Sequence, residues 1–136
     1  MIRVLIVDDH ALVRAGLVAM LRNAGDVMVV GECADGAEVP DVAPLARPDV
    51  VLMDVQMRRT GGTDATRALL ERQPEVRVLM LSGSMAPQSL ADAAAAGAVG
   101  YLLKGDPLGG LIPAIRAVAA GGTCWPSHPR LGVAVP

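Results

Sequence analysis

The sequence predicts an α/β protein built on a doubly wound parallel sheet. Five short apolar runs recur along the 136 residues, and segments with helical periodicity separate them. Most of the runs are rich in β-branched residues or leucine and do not alternate strictly with polar residues. Such runs are typical of strands that are buried on both faces. Strands that alternate with helical crossovers of this length form a parallel sheet with helices on both sides.

Each apolar run is short enough to be a strand and too short to be a buried helix. The predicted strands are residues 3–7, 27–32, 50–53, 77–81 and 99–103.

Three of the intervening helices have clear start or stop signals. The first has apolar residues on one face and is predicted to stop at Gly25. The third is predicted to begin at a cap, Thr63 or Asp64, and to end before Pro74. The fourth is predicted within residues 87–97, with proline in its first turn and glycine at its end.

The other two helices contain residues that interrupt a helix. Pro40 and Pro44 predict that the second helix is short or broken. The last helix is predicted to follow a cap at Asp106. The glycines and the proline after that cap predict either a kink or a start delayed to near Pro113.

Composition limits the class of protein. A chain of this length suits one domain, predicted at residues 1–121, and residues 122–136 have the composition of a linker. The two cysteines, Cys33 and Cys124, are far apart, which favours a reduced, cytoplasmic protein. No apolar run reaches the roughly 20 residues of a membrane span, and the N-terminus does not resemble a signal peptide. The net charge of −2 indicates no nucleic-acid surface.

Polar residues follow four of the five predicted strands. Asp8 and Asp9 follow the first strand, Asp54 the third, Ser82 the fourth and Lys104 the fifth. Parallel strands bring these residues to the carboxyl edge of the sheet, where open α/β sheets bind ligands.

Three carboxylates close together need compensating positive charge. Mg²⁺ prefers oxygen ligands and is typically held by one or two carboxylates together with phosphate oxygens. A lysine beside it suits a phosphoryl group. Each residue has an ordinary alternative, as a loop acid, helix cap, turn residue or surface charge. All of them at one edge would be hard to obtain by chance, so we predict a magnesium site there.

Four motifs occur in order: "VLIVDDH", "PDVVLMDVQM", "RVLMLSGS" and "GAVGYLLKGD". Together they resemble a response-regulator receiver domain of two-component systems, over residues 2–121. The first and last resemble especially the NarL/FixJ subgroup, whose receivers precede a LuxR-type helix-turn-helix. The resemblance implies a flavodoxin-like fold with strand order 2-1-3-4-5.

The resemblance also implies a metal-assisted phosphoryl transfer. Asp54 would be the phosphoacceptor, taking a phosphoryl group from a sensor histidine kinase. Asp9 would bind Mg²⁺ directly and Asp8 largely through water, with Asp54 and the backbone carbonyl of Gln56 as further ligands. This is a signalling module, and we do not expect the chain to be an enzyme.

Three other residues would bind the phosphoryl group or respond to it. Ser82 would donate a hydrogen bond to it and Lys104 would pair with it. Tyr101 would be an aromatic switch that turns inward when Ser82 moves. Phosphorylation is then expected to change self-association, with a homodimer as the product.

One departure from the family pattern lies beside the phosphoacceptor. Receivers often carry proline where this chain has Arg58. Its side chain is either a solvated loop cation, which we favour, or a source of positive potential at the site. His10 is expected to flank the site rather than to work in it.

Two other functions are compatible with parts of the pattern. A haloacid dehalogenase-type phosphohydrolase also uses an aspartate nucleophile and Mg²⁺, but it needs a second aspartate where this chain has Gln56. An atypical receiver would signal without phosphorylation. For the receiver, we expect DNA binding only through a C-terminal domain beyond residue 136, and none by residues 1–136 themselves. A stand-alone receiver is the less favoured alternative to a longer transcriptional regulator.

Overall fold

A computed structural model of the chain describes residues 1–104 and 110–126. The strands are β1 (Ile2–Val7), β2 (Val27–Cys33), β3 (Val50–Asp54), β4 (Arg77–Ser82) and β5 (Gly100–Leu103). The helices are α1 (Ala11–Arg22), α2 (Val39–Ala46), α3 (Gly62–Arg72), α4 (Pro87–Ala96) and α5 (Leu111–Ala119). All paired strands are parallel, in the order β2-β1-β3-β4-β5, which confirms the predicted topology.

The sheet has an apolar core on each face, which explains why its strands do not alternate with polar residues. Along β1, Val4 and Ile6 join one core, whereas Leu5 and Val7 join the other. Helices α1 and α5 cover the first core, and α2, α3 and α4 cover the second. Within the described residues, none of the helices combines the length and the apolar character needed to cross a membrane.

The predicted stop of α1 at Gly25 is wrong. The helix ends at Arg22, and the N–H of Asn23 donates to the carbonyl of Met20. Gly25 does not adopt the left-handed conformation of a terminating glycine, whereas Gly97, the predicted stop of α4, does, with φ of 102°.

The start of α3 also differs from the prediction. The cap is Gly61, and both Thr63 and Asp64 lie within the first turn. Packing rather than a side-chain cap sets this position, because α3 begins directly against the end of β3. A Cβ on Gly62 would lie 2.2 Å from the carbonyl oxygen of Asp54, a distance that only glycine avoids.

Helix α2 is short, as its prolines predicted. A 3-10 turn at Gly36–Glu38 precedes it, and Asp35 forms a capping box with Glu38. Helix α5 begins at Leu111, which agrees with the predicted start near Pro113. Pro113 lies in the first turn, where a backbone N–H has no helical partner to lose. The predicted cap Asp106 lies outside the described residues.

The chain after α5 returns to the free edge of β5. The N–H of Cys124 donates to Val99 O at 3.0 Å, and Cys124 O accepts the N–H of Tyr101 at 2.9 Å. Gly100 makes this approach possible, because a Cβ there would lie 2.9 Å from Cys124 O. Trp125 then packs against the core on the α4 face. The segment 122–126, predicted as part of a linker, therefore begins with ordered pairing to the sheet.

Gly100→Ala should detach this segment. The added methyl group would lie 2.7 Å from Leu79 Cδ1 and 2.9 Å from Cys124 O, and overpacking of this kind costs roughly 1–3 kcal/mol. Trp125 is the only tryptophan of the chain. Its fluorescence emission should therefore move to longer wavelength as it becomes hydrated. Gly16→Ala is the matched control, since its Cβ would have nothing within 4 Å. An unchanged emission in a folded Gly100→Ala variant would contradict the proposed pairing.

Candidate functional site

The structure brings the predicted polar residues together at the carboxyl edge of the sheet. Asp8 follows β1, Asp54 ends β3, Ser82 ends β4 and Lys104 follows β5. Asp8 and Asp54 are each 1% exposed, and Ser82 is fully buried. Buried carboxylates are unfavourable unless a positive charge or hydrogen bonds compensate them. The site therefore depends on how these charges are balanced.

Lys104 is the internal counter-ion of the site. Its Nζ lies 2.8 Å from Asp8 Oδ2 and 3.1 Å from Asp54 Oδ2. Burial acts to lower the pKa of Lys104. The hydrogen bonds and charges of the two carboxylates outweigh burial and hold the pKa above its ordinary value. The ammonium group is therefore charged and placed between two acids.

One lysine does not fully compensate Asp54. Burial raises the pKa of Asp54, and the charge of Asp8 raises it further. Asp54 Oδ1 accepts the N–H of Gln56 at 3.1 Å. Among residues 1–104 and 110–126, Asp54 Oδ2 and Asp9 Oδ1 are buried oxygens that accept no hydrogen bond of good geometry. Asp54 Oδ2 has the Lys104 ammonium at 3.1 Å and Asp9 Oδ1 has His10 Nδ1 at 2.9 Å. Each of these buried oxygens of predicted metal ligands therefore has an ion-pair neighbour and capacity for a further ligand.

The carboxylates are close enough to share a cation. Ligand atoms of Asp8, Asp9, His10 and Asp54 all lie within 4.8 Å of one another. Carboxylate oxygens suit a hard divalent cation such as Mg²⁺. The N–H of Gln56 bonds to Asp54, so Gln56 lies beside the cluster. Its carbonyl as a ligand remains a prediction. The acidic set thus fits the magnesium site predicted from the sequence.

Asp9 has two nitrogen-bearing neighbours, His10 and Arg58. His10 Nδ1 lies 2.9 Å from Asp9 Oδ1, and the His10 N–H donates to Asp8 at 2.8 Å. The backbone N–H of Arg58 donates to Asp9 Oδ2 at 3.0 Å, and Arg58 Nε lies 3.3 Å from the same oxygen. Partial burial acts to raise the pKa of Asp9. The Arg58 amide, His10 and the guanidinium outweigh it, so the pKa is lowered.

The contact of Arg58 with Asp9 was not predicted from the sequence. The favoured interpretation, a solvated loop cation, is right about exposure, since 83% of the side chain is exposed. It missed the contact with a predicted metal ligand 49 residues away. A clue was available, because arginine stands where the family often has proline.

Ser82 and Tyr101 are connected through Ser84. Ser82 Oγ accepts the N–H of Ser84 at 3.1 Å, and Ser84 O accepts the hydroxyl of Tyr101 at 2.5 Å. Tyr101 is 1% exposed, so its ring already lies inward. A shift of Ser82 can therefore reach β5 through two hydrogen bonds. The role of Tyr101 as a switch remains a prediction.

Comparison with known proteins agrees with this fold and site. The family model of the response regulator receiver domain matches residues 4–116. Response regulator GacA of Pseudomonas viridiflava is 44% identical over 121 residues, which are 89% of this chain and 56% of that protein. The DNA-binding transcriptional activator DevR/DosR of Mycobacterium tuberculosis is 40% identical over the same shares. The chain thus spans just over half the length of these relatives.

A solved structure shows the same architecture. The two-component response regulator of the LuxR family from Aurantimonas sp. SI85-9A1 superposes with a TM-score of 0.87 at 31% identity. The alignment covers 96% of this chain and 91% of that one.

A five-stranded parallel sheet with an acidic pocket and a lysine at its carboxyl edge defines a receiver. The chain belongs to the response regulator receiver domain family. Its relatives place it in the NarL/FixJ subgroup, as the sequence motifs predicted. The family is a signalling module rather than an enzyme, which confirms that expectation and rejects the phosphohydrolase alternative.

Proposed function

We propose that this receiver accepts a phosphoryl group on Asp54 from a sensor histidine kinase, with Mg²⁺ bound at the acidic edge. The observation that carries the proposal is the state of Asp54. It is buried, its Oδ2 lies 3.1 Å from the Lys104 ammonium, and the same ammonium lies 2.8 Å from Asp8 Oδ2. Two acids that share one counter-ion leave room for a second, divalent one.

In the proposed transfer, a carboxylate oxygen of Asp54 attacks the phosphorus of a phosphohistidine. The P–O bond forms as the P–N bond breaks, and the imidazole nitrogen keeps the electron pair. Asp8, Asp9, Asp54 and the Gln56 carbonyl would hold Mg²⁺, which supplies neutralisation of the charge on the phosphoryl oxygens. Such transfers need positioning and charge stabilisation above all.

Two side chains of the described site would bind the phosphoryl oxygens. Lys104 would exchange part of its contact with Asp54 for a phosphoryl oxygen, remaining close to Asp8. The Ser82 hydroxyl would donate a hydrogen bond to another phosphoryl oxygen. Because Ser82 Oγ also holds the Ser84 N–H, its movement would pull on the carbonyl that accepts the Tyr101 hydroxyl. The α4–β5 face would change, and self-association to a homodimer with it.

The output of the whole protein is a further part of the proposal. One relative is named a DNA-binding transcriptional activator, and another a response regulator. We infer that this receiver controls transcription through a DNA-binding domain beyond the chain, in the cytoplasm. Mass spectrometry after incubation with acetyl phosphate and Mg²⁺ tests the first step. A chain that takes up no phosphoryl group while folded would favour the atypical, phosphorylation-independent receiver.

The lifetime of the phosphorylated state should depend on Gln56 and Ser84. Both lie beside the site: the side chain of Gln56 is exposed above it, and its Oε1 is 3.4 Å from the Gly83 N–H. These positions control the approach of water to the phosphoryl group. Substitution of both Gln56 and Ser84 should change the dephosphorylation rate about tenfold, while Mg²⁺ affinity stays close to that of the wild type. The decay of phosphorylated protein after removal of acetyl phosphate measures this. Equal lifetimes would reject the role.

A further inference from the structure

We propose that the Arg58 guanidinium is a built-in counter-ion of Asp9 that competes with Mg²⁺, so that Arg58 sets the affinity of this receiver for the metal. The inference rests on the proposed function, because it assumes that Mg²⁺ binds at the acidic edge. In this proposal Arg58 is a positioning residue that acts through Asp9. It is given no contact with the phosphoryl group.

The contacts show why the two cations compete. Arg58 Nε lies 3.3 Å from Asp9 Oδ2, and Asp9 offers a carboxylate oxygen to the acidic cluster. The guanidinium is therefore close to a metal bound through either oxygen of this carboxylate. A magnesium ion binds carboxylate oxygens at about 2.0–2.1 Å and demands near-octahedral geometry. An ion at Asp9 would therefore lie beside the guanidinium, and the two positive charges would repel. Binding of Mg²⁺ must push the Arg58 side chain away or accept that repulsion.

The Arg58 contact has two separable parts. The backbone N–H of Arg58 holds Asp9 Oδ2 at 3.0 Å and would remain after any substitution other than proline. The side chain contributes the charge. Substitution of Arg58 therefore removes the competing cation without releasing the Asp9 carboxylate from the loop. The effect on the metal can be measured with the ligand still in place.

Exposure limits the size of the effect. The Arg58 side chain is 83% exposed, whereas that of Asp9 is 8% exposed. Water screens an ion pair whose cation is this exposed, and such pairs are weak. The guanidinium can therefore leave without disturbing the fold. Its removal should strengthen Mg²⁺ binding by about two- to fivefold, the equilibrium factor that corresponds to an exposed ion pair.

The neighbouring residue provides a matched control. Arg59 has the same charge, is exposed and lies on the same loop. Its charge acts on Asp35, whose pKa is lowered first by the amides of Ala37 and Thr60 and further by Arg59. Arg58→Ala and Arg59→Ala change the net charge equally. A difference between them therefore reports the Asp9 contact and not the general field of the loop.

The experiment is a calorimetric titration with MgCl₂ of the wild type, Arg58→Ala, Arg59→Ala and Arg58→Lys, with folding checked by circular dichroism. Arg58→Ala should bind Mg²⁺ about two- to fivefold more tightly than the wild type, and Arg59→Ala should not. Arg58→Lys, which keeps the charge, should stay close to the wild type. The gain in Arg58→Ala should shrink at about 1 M NaCl, which screens the pair in the wild type.

Each other outcome is decisive. Equal or weaker Mg²⁺ binding by Arg58→Ala overturns the competition. Equal tightening by both alanine variants overturns the assignment to the Asp9 contact. In either case a wild type that binds Mg²⁺ leaves the proposed function standing. A wild type that binds no Mg²⁺ contradicts both the competition between Arg58 and Mg²⁺ and the metal-dependent function.

Discussion

Asp54→Asn is expected to abolish phosphorylation of this receiver by acetyl phosphate in the presence of Mg²⁺. The amide is nearly isosteric with the carboxylate, but it lacks the negative oxygen that attacks phosphorus. Asp54 is buried against α3, with Gly62 packed on its carbonyl, so a substitution of similar shape should preserve the fold. Intact-protein mass spectrometry should show the added phosphoryl group in the wild type and none in the variant.

Asp64→Asn is the control for this change. Asp64 lies in the first turn of α3 with 79% of its side chain exposed. The Asp64→Asn variant keeps Asp54 and should therefore be phosphorylated there to the same extent as the wild type. The adduct of both proteins should therefore map to the peptide that contains Asp54. An adduct that persists in folded Asp54→Asn would contradict the assignment of the phosphoacceptor.

Lys104→Met should destabilise the receiver in the absence of metal. The substitution keeps much of the apolar stem but leaves Asp8 and Asp54 buried without their shared cation. Removal of one partner from a buried ion pair costs about 3–5 kcal/mol. Because 27% of the Lys104 side chain is exposed, solvent compensates part of that cost. We expect a loss of roughly 2 kcal/mol in the free energy of unfolding, measured with urea at neutral pH.

The pH dependence of that loss has a definite sign. The pKa of Asp54 is already raised in the folded protein, and removal of Lys104 takes away a charge that lowers it. A carboxyl whose pKa is raised on folding favours the folded state below its unfolded pKa, and this advantage is lost as pH rises through the folded pKa. The deficit of Lys104→Met should therefore be largest at neutral pH and shrink as the pH falls toward 4.

The double variant Lys104→Met/Asp54→Asn tests the cause. If charge is responsible, removal of the Asp54 carboxylate should restore part of the stability, and the two substitutions should show a coupling energy of about 0.5–3 kcal/mol. The contrary result is that Lys104→Met lowers the free energy of unfolding equally in the wild type and in Asp54→Asn. That result would show that the packing of the lysine stem, and not its charge, stabilises the site.

The sequence determined the sheet and the place of the site. Apolar runs without polar alternation identified strands buried on both faces, and the alternation with helices made them parallel. Because parallel strands end at one edge, the residue after each run was enough to bring Asp8, Asp54, Ser82 and Lys104 together. The motifs around them then identified the receiver family. These inferences succeed because periodicity and chain direction are local properties.

Tertiary structure decided what local patterns do not contain. The contact of Arg58 with Asp9 joins residues 49 apart and depends on how two loops meet at the sheet edge. The start of α3 follows from the packing of Gly62 on β3, not from a capping side chain. The pairing of Cys124 with β5 uses an edge that has no signature in the tail itself. Each of these features depends on surfaces that come together only when the sheet has formed, so no spacing within a segment could predict them.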